Sequence, residues 1–163
     1  MKKIGIVMGS KSDLPVVQKT IDTLKELGIP FEAHIYSAHR TPAEAAEFAS
    51  SAREKGFGVL IAAAGMAAHL AGALAANTTL PVIGIPCKGP VFDGMDALLS
   101  TVQMPSGIPV AAVAVGGGVN AALLAAQILA VTEPDLARKL QQKRETAAAA
   151  VLDQDAQLQN EIV

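Results

Sequence analysis

Apolar positions along this chain follow two alternating rhythms. Short runs of nearly continuous apolar residues are separated by longer stretches in which apolar residues return every three or four positions. The first run, "KIGIVM", is followed by a stretch placing Val17, Ile21 and Leu24 on one helical face, and Gly28 stands where a C-terminal cap belongs. "FEAHIYS" is the second run. A helix with Ala45, Phe48, Ala49 and Ala52 on its apolar face follows, opened by Thr41, Pro42 and Glu44 as a capping box and ended by Gly56. The third run, "FGVLIAA", leads to a helix through "AAHLAGALAAN", and the fourth is "PVIGIP". A glycine-containing loop, a short helix around "MDALLSTVQ", a fifth run "PVAAVAV" and a helix "NAALLAAQILAV" complete the series.

Strands alternating with helices predict a parallel sheet covered on both faces, an α/β three-layer sandwich of five strands. Strands 3, 4 and 5 are apolar almost throughout, as two-sided burial demands. The expected strand order is flavodoxin-like, 2-1-3-4-5. One helix remains beyond the series, capped by Thr132, with Pro134 in its first turn and Asp135 in the capping-box position. Leu136, Leu140, Ala147, Val151 and Leu158 fall within about 60° of one another at 100° per residue, a narrow stripe on a polar helix. Two readings stand: a helix packed along its own domain, or a seam against another subunit. Residues 1–131 are thus read as the α/β domain, and 132–163 as a C-terminal helix of the same domain and a contact between subunits.

Composition narrows the picture. The 163 residues suit one domain. With 51% hydrophobic residues, only 3% aromatics and no Trp, the core must be built from Val, Ile, Leu and Ala. The formal net charge of −2 offers no basic stripe for nucleic acid. The lone Cys87 excludes an intramolecular disulfide and fits a reducing cytosol. The N-terminal apolar run is too short for a signal peptide, and no stretch of about 20 uninterrupted apolar residues marks a membrane span. A cytoplasmic protein is expected.

Candidate chemistry collects at one edge. In a parallel sheet the loops after strands 1, 2 and 3 emerge together, and the order 2-1-3 makes them neighbours at the point where open α/β sheets hold ligands. Those loops carry "GSKSD" (9–13), "SAHRT" (37–41) and "AAGMAAH" (63–69). Gly9 permits a sharp turn, and the hydroxyls of Ser10 and Ser12 beside a helix N-terminus favour an anion, phosphate most often. Arg40 supplies a matching two-pronged cation. Asp13 would repel phosphate but suits sugar hydroxyls, so the set suggests a ribonucleotide. Taken singly, Ser12 or Asp13 reads as a plain helix cap. "GSKSD" matches neither the dinucleotide fingerprint nor the P-loop, so no NAD or ATP is indicated. His39, next to Arg40, can give and take a proton near neutral pH. His34, inside strand 2, reads as structural; His69, opening the third helix, could line the pocket or bond a loop carbonyl, with a structural role favoured; and Cys87 reads as a small packed hydrophobe. No metal-ligand spacing appears.

Several segments together resemble the N5-carboxyaminoimidazole ribonucleotide mutase family of purine biosynthesis: "MGSKSD" (8–13), "SAHRTP" (37–42), "AAHL" (67–70), "LPVIGIP" (80–86), "GMDALLSTVQMPSGIPVA" (94–111) and "NAALLAAQILA" (120–130). They run in family order over nearly the whole domain. The resemblance implies a three-layer parallel α/β fold assembled as a homo-octamer, with sites between subunits. It implies that Ser10 and Arg40 bind the substrate phosphate, helped by Ser12 and Ser37, that Asp13 holds the ribose, and that His39 is the general acid and base. Gly65, Ala67 and Ala68, with Gly107 nearby, would shape the pocket around the base. The departures lie in the pocket wall, where Met66 stands for a glycine and Ala71 for a proline, and in a short "VGGGV" loop (115–119).

The implied reaction moves a carboxyl group from an exocyclic nitrogen to ring carbon C4 by decarboxylation and recarboxylation. It calls for no cofactor and no metal. A related branch of the family carboxylates aminoimidazole ribonucleotide directly with CO2; "SAHRT" and "AAHL" here favour the mutase. The remaining alternative is a nucleotide-binding module without chemistry, against which a titrating His39 at the site argues.

Overall fold

A computed structural model describes residues 1–162. Five parallel strands form one sheet in the order β2-β1-β3-β4-β5. They are β1 (Lys3–Met8), β2 (Phe31–Ile35), β3 (Phe57–Gly65), β4 (Val82–Cys87) and β5 (Ala111–Ala112). The helices are α1 (Leu14–Leu27), α2 (Pro42–Ser51), α3 (Leu70–Ala75), α4 (Met95–Val102), α5 (Gly118–Ala130) and α6 (Pro134–Glu161), with one 3-10 turn at Lys11–Asp13. The expected architecture and strand order are the observed ones. Val163, the last residue of the sequence-defined C-terminal helix, lies outside the described residues.

Alternation along the strands sends side chains to two cores. Ile4, Ile6, Val59, Ile61, Ile83 and Ile85 pack on one face with α1, α5 and Leu136 of α6. Val7, Leu60, Ala62 and Val82 pack on the other with Phe48, Leu70 and Leu74 of α2 and α3. Small residues set the spacing of these layers. At Gly84 of β4 a Cβ would lie 2.3 Å from Thr101 Cγ2, so α4 can sit on the strand only because the side chain is missing. Gly118 does the same between α5 and α1, where a Cβ would meet Val16 O at 2.3 Å and where Thr20 Oγ1 donates to Gly118 O at 2.9 Å.

Element limits differ from the pattern in instructive ways. The run "PVAAVAV" gives a ladder of only Ala111 and Ala112, because Pro109 and the facing Pro86 have no N–H to contribute. The chain stays alongside β4 through Val113 N–H to Gly84 O (3.2 Å) and Gly116 N–H to Pro86 O (2.8 Å). The second strand stops at Ile35, and the third helix begins only at Leu70, since 66–69 form a turn beside the site. Gly28 is the left-handed cap of α1, at φ 72°, with its N–H on Leu24 O and Lys25 O. Two capping expectations are corrected. Thr41 makes no side-chain cap on α2; its hydroxyl instead takes the Ser37 N–H (2.8 Å) and donates to Ser37 O. Thr132 donates to Leu129 O, and the residue before α6 is Glu133. Asp135 pairs with Arg138 one turn on instead of reaching back.

Candidate active site

The loops after β1, β2 and β3 do converge, and a fourth, after β4, joins them. Together they line a cleft of about 540 Å³ at the C-terminal edge of the strands. Gly9, Ser10, Ser12 and Asp13 come from the first loop, Ser37, Ala38, His39 and Arg40 from the second, Gly65, Met66, Ala67 and His69 from the third, and Lys88, Gly89 and Pro90 from the fourth.

The first loop is a 3-10 turn held by a reciprocal cap. Ser10 Oγ accepts the Ser12 N–H at 3.3 Å, and Asp13 Oδ2 accepts the Ser10 N–H at 3.2 Å. Ser12 Oγ donates to Ser10 Oγ at 3.0 Å. The capping role weighed for Ser12 or Asp13 is corrected: α1 takes no side-chain cap from Asp13, and the reciprocal cap lies instead on the 3-10 turn, between Ser10 and Asp13, where it fixes the Ser10 hydroxyl at the cleft. Asp13 is only 9% exposed. Burial pushes its carboxyl above the ordinary 3.8, against the opposing pull of the Ser10 N–H and the Cys87 thiol. Cys87 ends β4 and is itself buried, as its reading as a packed hydrophobe required. Burial, and then the Asp13 charge beside it, pushes its thiol up to about 12, so it carries no thiolate at neutral pH.

Ser37 organises the second loop. Its Oγ accepts the backbone N–H groups of His39 (3.3 Å) and Arg40 (3.2 Å) and lies 3.5 Å from Arg40 Nε. Arg40 reaches across to the first loop, donating from its terminal nitrogen to Gly9 O at 3.0 Å. The guanidinium is thereby parked beside Ser10 and Ser12 with donors to spare, a suitable arrangement for a phosphate.

His39 Nε2 stands 2.8 Å from His69 Nδ1, with the rings edge to face at 84°. Of the two places weighed for His69 the structure shows the pocket-lining one, not the favoured structural one: it lines the cleft and is hydrogen-bonded to His39. One ring donates and the other accepts, so each fixes the other's tautomer. His34 does keep a structural place, stacked on Tyr36 at 5.2 Å and packed against Phe48 at 5.1 Å.

Two expected residues are not brought together with the others. Ala68 is buried behind the third loop. Gly107, at φ 98°, lines a different cleft at the opposite edge of the sheet, with Arg53, Asn77 and Pro81. Sequence reasoning missed Lys88, Gly89 and Pro90, although the order 2-1-3-4 already placed the loop after β4 beside the loop after β3.

Comparison with known proteins adds a name to this geometry. A family model described as AIR carboxylase matches residues 3–150. The N5-carboxyaminoimidazole ribonucleotide mutase of Bacillus subtilis is 53% identical over 157 residues, covering 95% of this chain and 97% of the relative. The phosphoribosylaminoimidazole carboxylase of Saccharomyces cerevisiae is 51% identical over 139 residues, covering 85% of this chain and 24% of that longer protein. The solved structure of Treponema denticola PurE superposes with a TM-score of 0.83 at 30% identity, over 95% of this chain and 97% of that one.

Proposed function

The chain belongs to the AIR carboxylase family, and from that premise we propose that it serves purine biosynthesis as a mutase, interconverting N5-carboxyaminoimidazole ribonucleotide and 4-carboxy-5-aminoimidazole ribonucleotide. The observation that carries this is His39, hydrogen-bonded to a second imidazole, a few residues from an anion site built by Ser10, Ser12 and Arg40. A module that only bound a nucleotide would have no use for a paired imidazole at that place.

The phosphate sits on Ser10 and Arg40 with help from Ser12 and Ser37, and Asp13 accepts hydrogen bonds from the ribose hydroxyls. Gly65 and Ala67 leave room for the imidazole and the migrating carboxyl group. His39 gives a proton to the carbamate nitrogen, and the C–N bond breaks to release CO2. Ring carbon C4 then attacks that CO2, and His39 removes the C4 proton. One imidazole closes the proton cycle, and His69 holds its ring and tautomer between the two steps. The chain's own residues thus cover every proton transfer the reaction needs.

The assembly belongs to the same proposal. The outer half of α6 and the apolar residues Met95, Leu99 and Val102 of α4 are exposed in the single chain. Both suit a homo-octamer with sites between subunits, in which Gly107 reaches a site from another copy. The protein acts in the cytoplasm on a small ribonucleotide, and no helix among the described residues is long and apolar enough to cross a membrane.

The test is turnover of the carbamate ribonucleotide by the purified protein with no ATP or bicarbonate added. His39→Asn should retain most of the substrate affinity by calorimetry and lose at least about 10²–10⁴-fold in turnover. Near-normal turnover in that variant would sink the mechanism. The yeast relative's name supports a second reading, direct carboxylation by dissolved CO2. Labelled bicarbonate separates the two: it enters the mutase product slowly relative to turnover and the carboxylase product completely.

A further inference from the structure

The cleft carries fixed positive charge at two ends. Among the described residues that line it, Arg40 and Lys88 are the cations besides the imidazoles, and they come from different loops. Arg40 reaches over to Gly9 O and so stands with Ser10 and Ser12 at the end of β1. Lys88 follows the last residue of β4. Two strand spacings separate those ends, roughly 10 Å. The register pairs Gly65 with Cys87, so Lys88 emerges beside the third loop, which brings Gly65, Ala67 and His69 to the cleft. Cys87 is turned into the core shared with α1 and α5. Alternation sends the next side chain toward the other face of the sheet, the face of α3, which His69 opens.

The Lys88 ammonium is loosely held. Its Nζ lies 2.8 Å from one carboxylate oxygen of Asp93 and 3.1 Å from the other. Both side chains are well exposed, 69% and 78%, and a pair of that kind gains little in water. Exchanging Asp93 for another carboxylate therefore costs little. Asp93 stands in the left-handed region, at φ 51°, which Asp and Asn accept more readily than other side chains, and it directly precedes Gly94, the first cap of α4. A ligand covering this loop displaces water, and attraction between opposite charges grows as the local dielectric falls.

We propose that Lys88 is a specificity-determining residue, whose ammonium takes the carboxylate of substrate and product while Arg40 takes the phosphate. The inference rests on the mutase reading above. Each of the two interconverting ribonucleotides carries a phosphate at one end and a carboxylate at the other, on the exocyclic nitrogen or on C4. Aminoimidazole ribonucleotide carries the phosphate alone. A flexible four-carbon stem lets one ammonium follow the carboxylate between its two positions. No bond is made or broken at Lys88, and the proton cycle stays with His39. What Lys88 adds is affinity for the carboxylated nucleotides over the decarboxylated one.

Calorimetry measures that preference, with 4-carboxy-5-aminoimidazole ribonucleotide and aminoimidazole ribonucleotide as the two ligands. The proteins are the unsubstituted chain, Lys88→Met, Lys88→Arg and Asp93→Asn. Lys88→Met should weaken the carboxylated ligand about 5-fold, the effect of one partly exposed charge pair, and leave the other ligand unchanged. Lys88→Arg should keep the preference. Asp93→Asn suits the left-handed backbone and removes the competing carboxylate, so it should strengthen the carboxylated ligand alone. Equal weakening of both ligands in Lys88→Met would make the residue a structural or long-range influence, and no weakening of either would make it a bystander. Each of those results refutes the proposal, and turnover of the carbamate by the unsubstituted protein then leaves the mutase reading standing. If the unsubstituted protein neither binds the carboxylated nucleotide nor turns over the carbamate, the mutase reading fails and this inference with it.

Discussion

At the scale of single residues, the site holds its carboxylate under tension. Asp13 is nearly buried, and burial raises its pKa above 3.8. Below that ordinary value the group is protonated whether the chain is folded or not, and its contribution to stability is at its most favourable. As pH rises through the folded-state pKa, charge is forced into a poorly hydrated place and stability falls. At neutral pH the carboxylate therefore costs stability, which the proposed role of Asp13 in holding ribose would explain. Asp13→Asn keeps an oxygen to accept the Ser10 N–H and removes the charge. It should stabilise the protein at neutral pH by about 1 kcal/mol, a common size for such replacements. The gain should shrink as pH approaches 3.8, and substrate affinity should drop. Denaturant midpoints at the two pH values, with calorimetry for binding, check both halves; an equal gain at both pH values would mean that charge burial is not the cause.

At the scale of elements, α6 divides into two helices of different character. Its first turns belong to the domain. Leu136 is 1% exposed and Leu140 packs beside it, while Lys139 Nζ donates to Leu27 O at 3.0 Å and Lys143 pairs with Glu26 at 2.7 Å. Beyond that point the same apolar stripe continues with nothing beneath it, and Val151 and Leu158 are 63% and 51% exposed. The inner half thus packs on its own domain, and the outer half is exposed, as the proposed contact with another subunit requires. Leu136→Ala should cost about 2–5 kcal/mol, the range for emptying a core site. Val151→Ala should change chain stability by no more than about 0.5 kcal/mol in a protein dissociated by dilution. Chemical denaturation of both variants makes the comparison, and equal losses would show that the helix is one unit.

At the scale of the whole molecule, one chain presents two clefts at opposite edges of the sheet, and the residues of the expected site are split between them. His39, Arg40, Ser10 and Asp13 are at one edge, and Gly107 is at the other. The proposed site between subunits would reunite them without any change in the fold. Removing residues 148–163 spares Leu136, Lys139 and Lys143 and takes away Val151 and Leu158. The truncated protein should keep its circular dichroism and its melting cooperativity. By light scattering it should fall to a smaller assembly, with turnover lost in proportion. A monomer before truncation, or an unchanged octamer after it, would remove the outer half of α6 from the interface.

The sequence by itself determined the layers, the strand order, the family and three of the four site loops. Those follow from local regularities: alternation of strand and helix, apolar runs long enough to be buried on both faces, and the convergence of parallel strand ends. What tertiary structure alone decided are pairings between distant residues that no local pattern encodes. His69 meets His39 because the order 2-1-3 sets the ends of β2 and β3 on either side of β1, so a helix-opening imidazole 30 residues away becomes a proton partner. Cys87 modulates Asp13 because β4 ends beneath the first loop, and there burial changes the chemistry of both. The brevity of β5 came from two prolines on facing segments, each harmless to an apolar pattern read alone. Thr41 carried the right signature for a helix cap, yet its hydroxyl serves Ser37 instead, because the loop that holds His39 and Arg40 needed a partner for that backbone N–H. Periodicity records which face is buried; only packing decides which groups meet there.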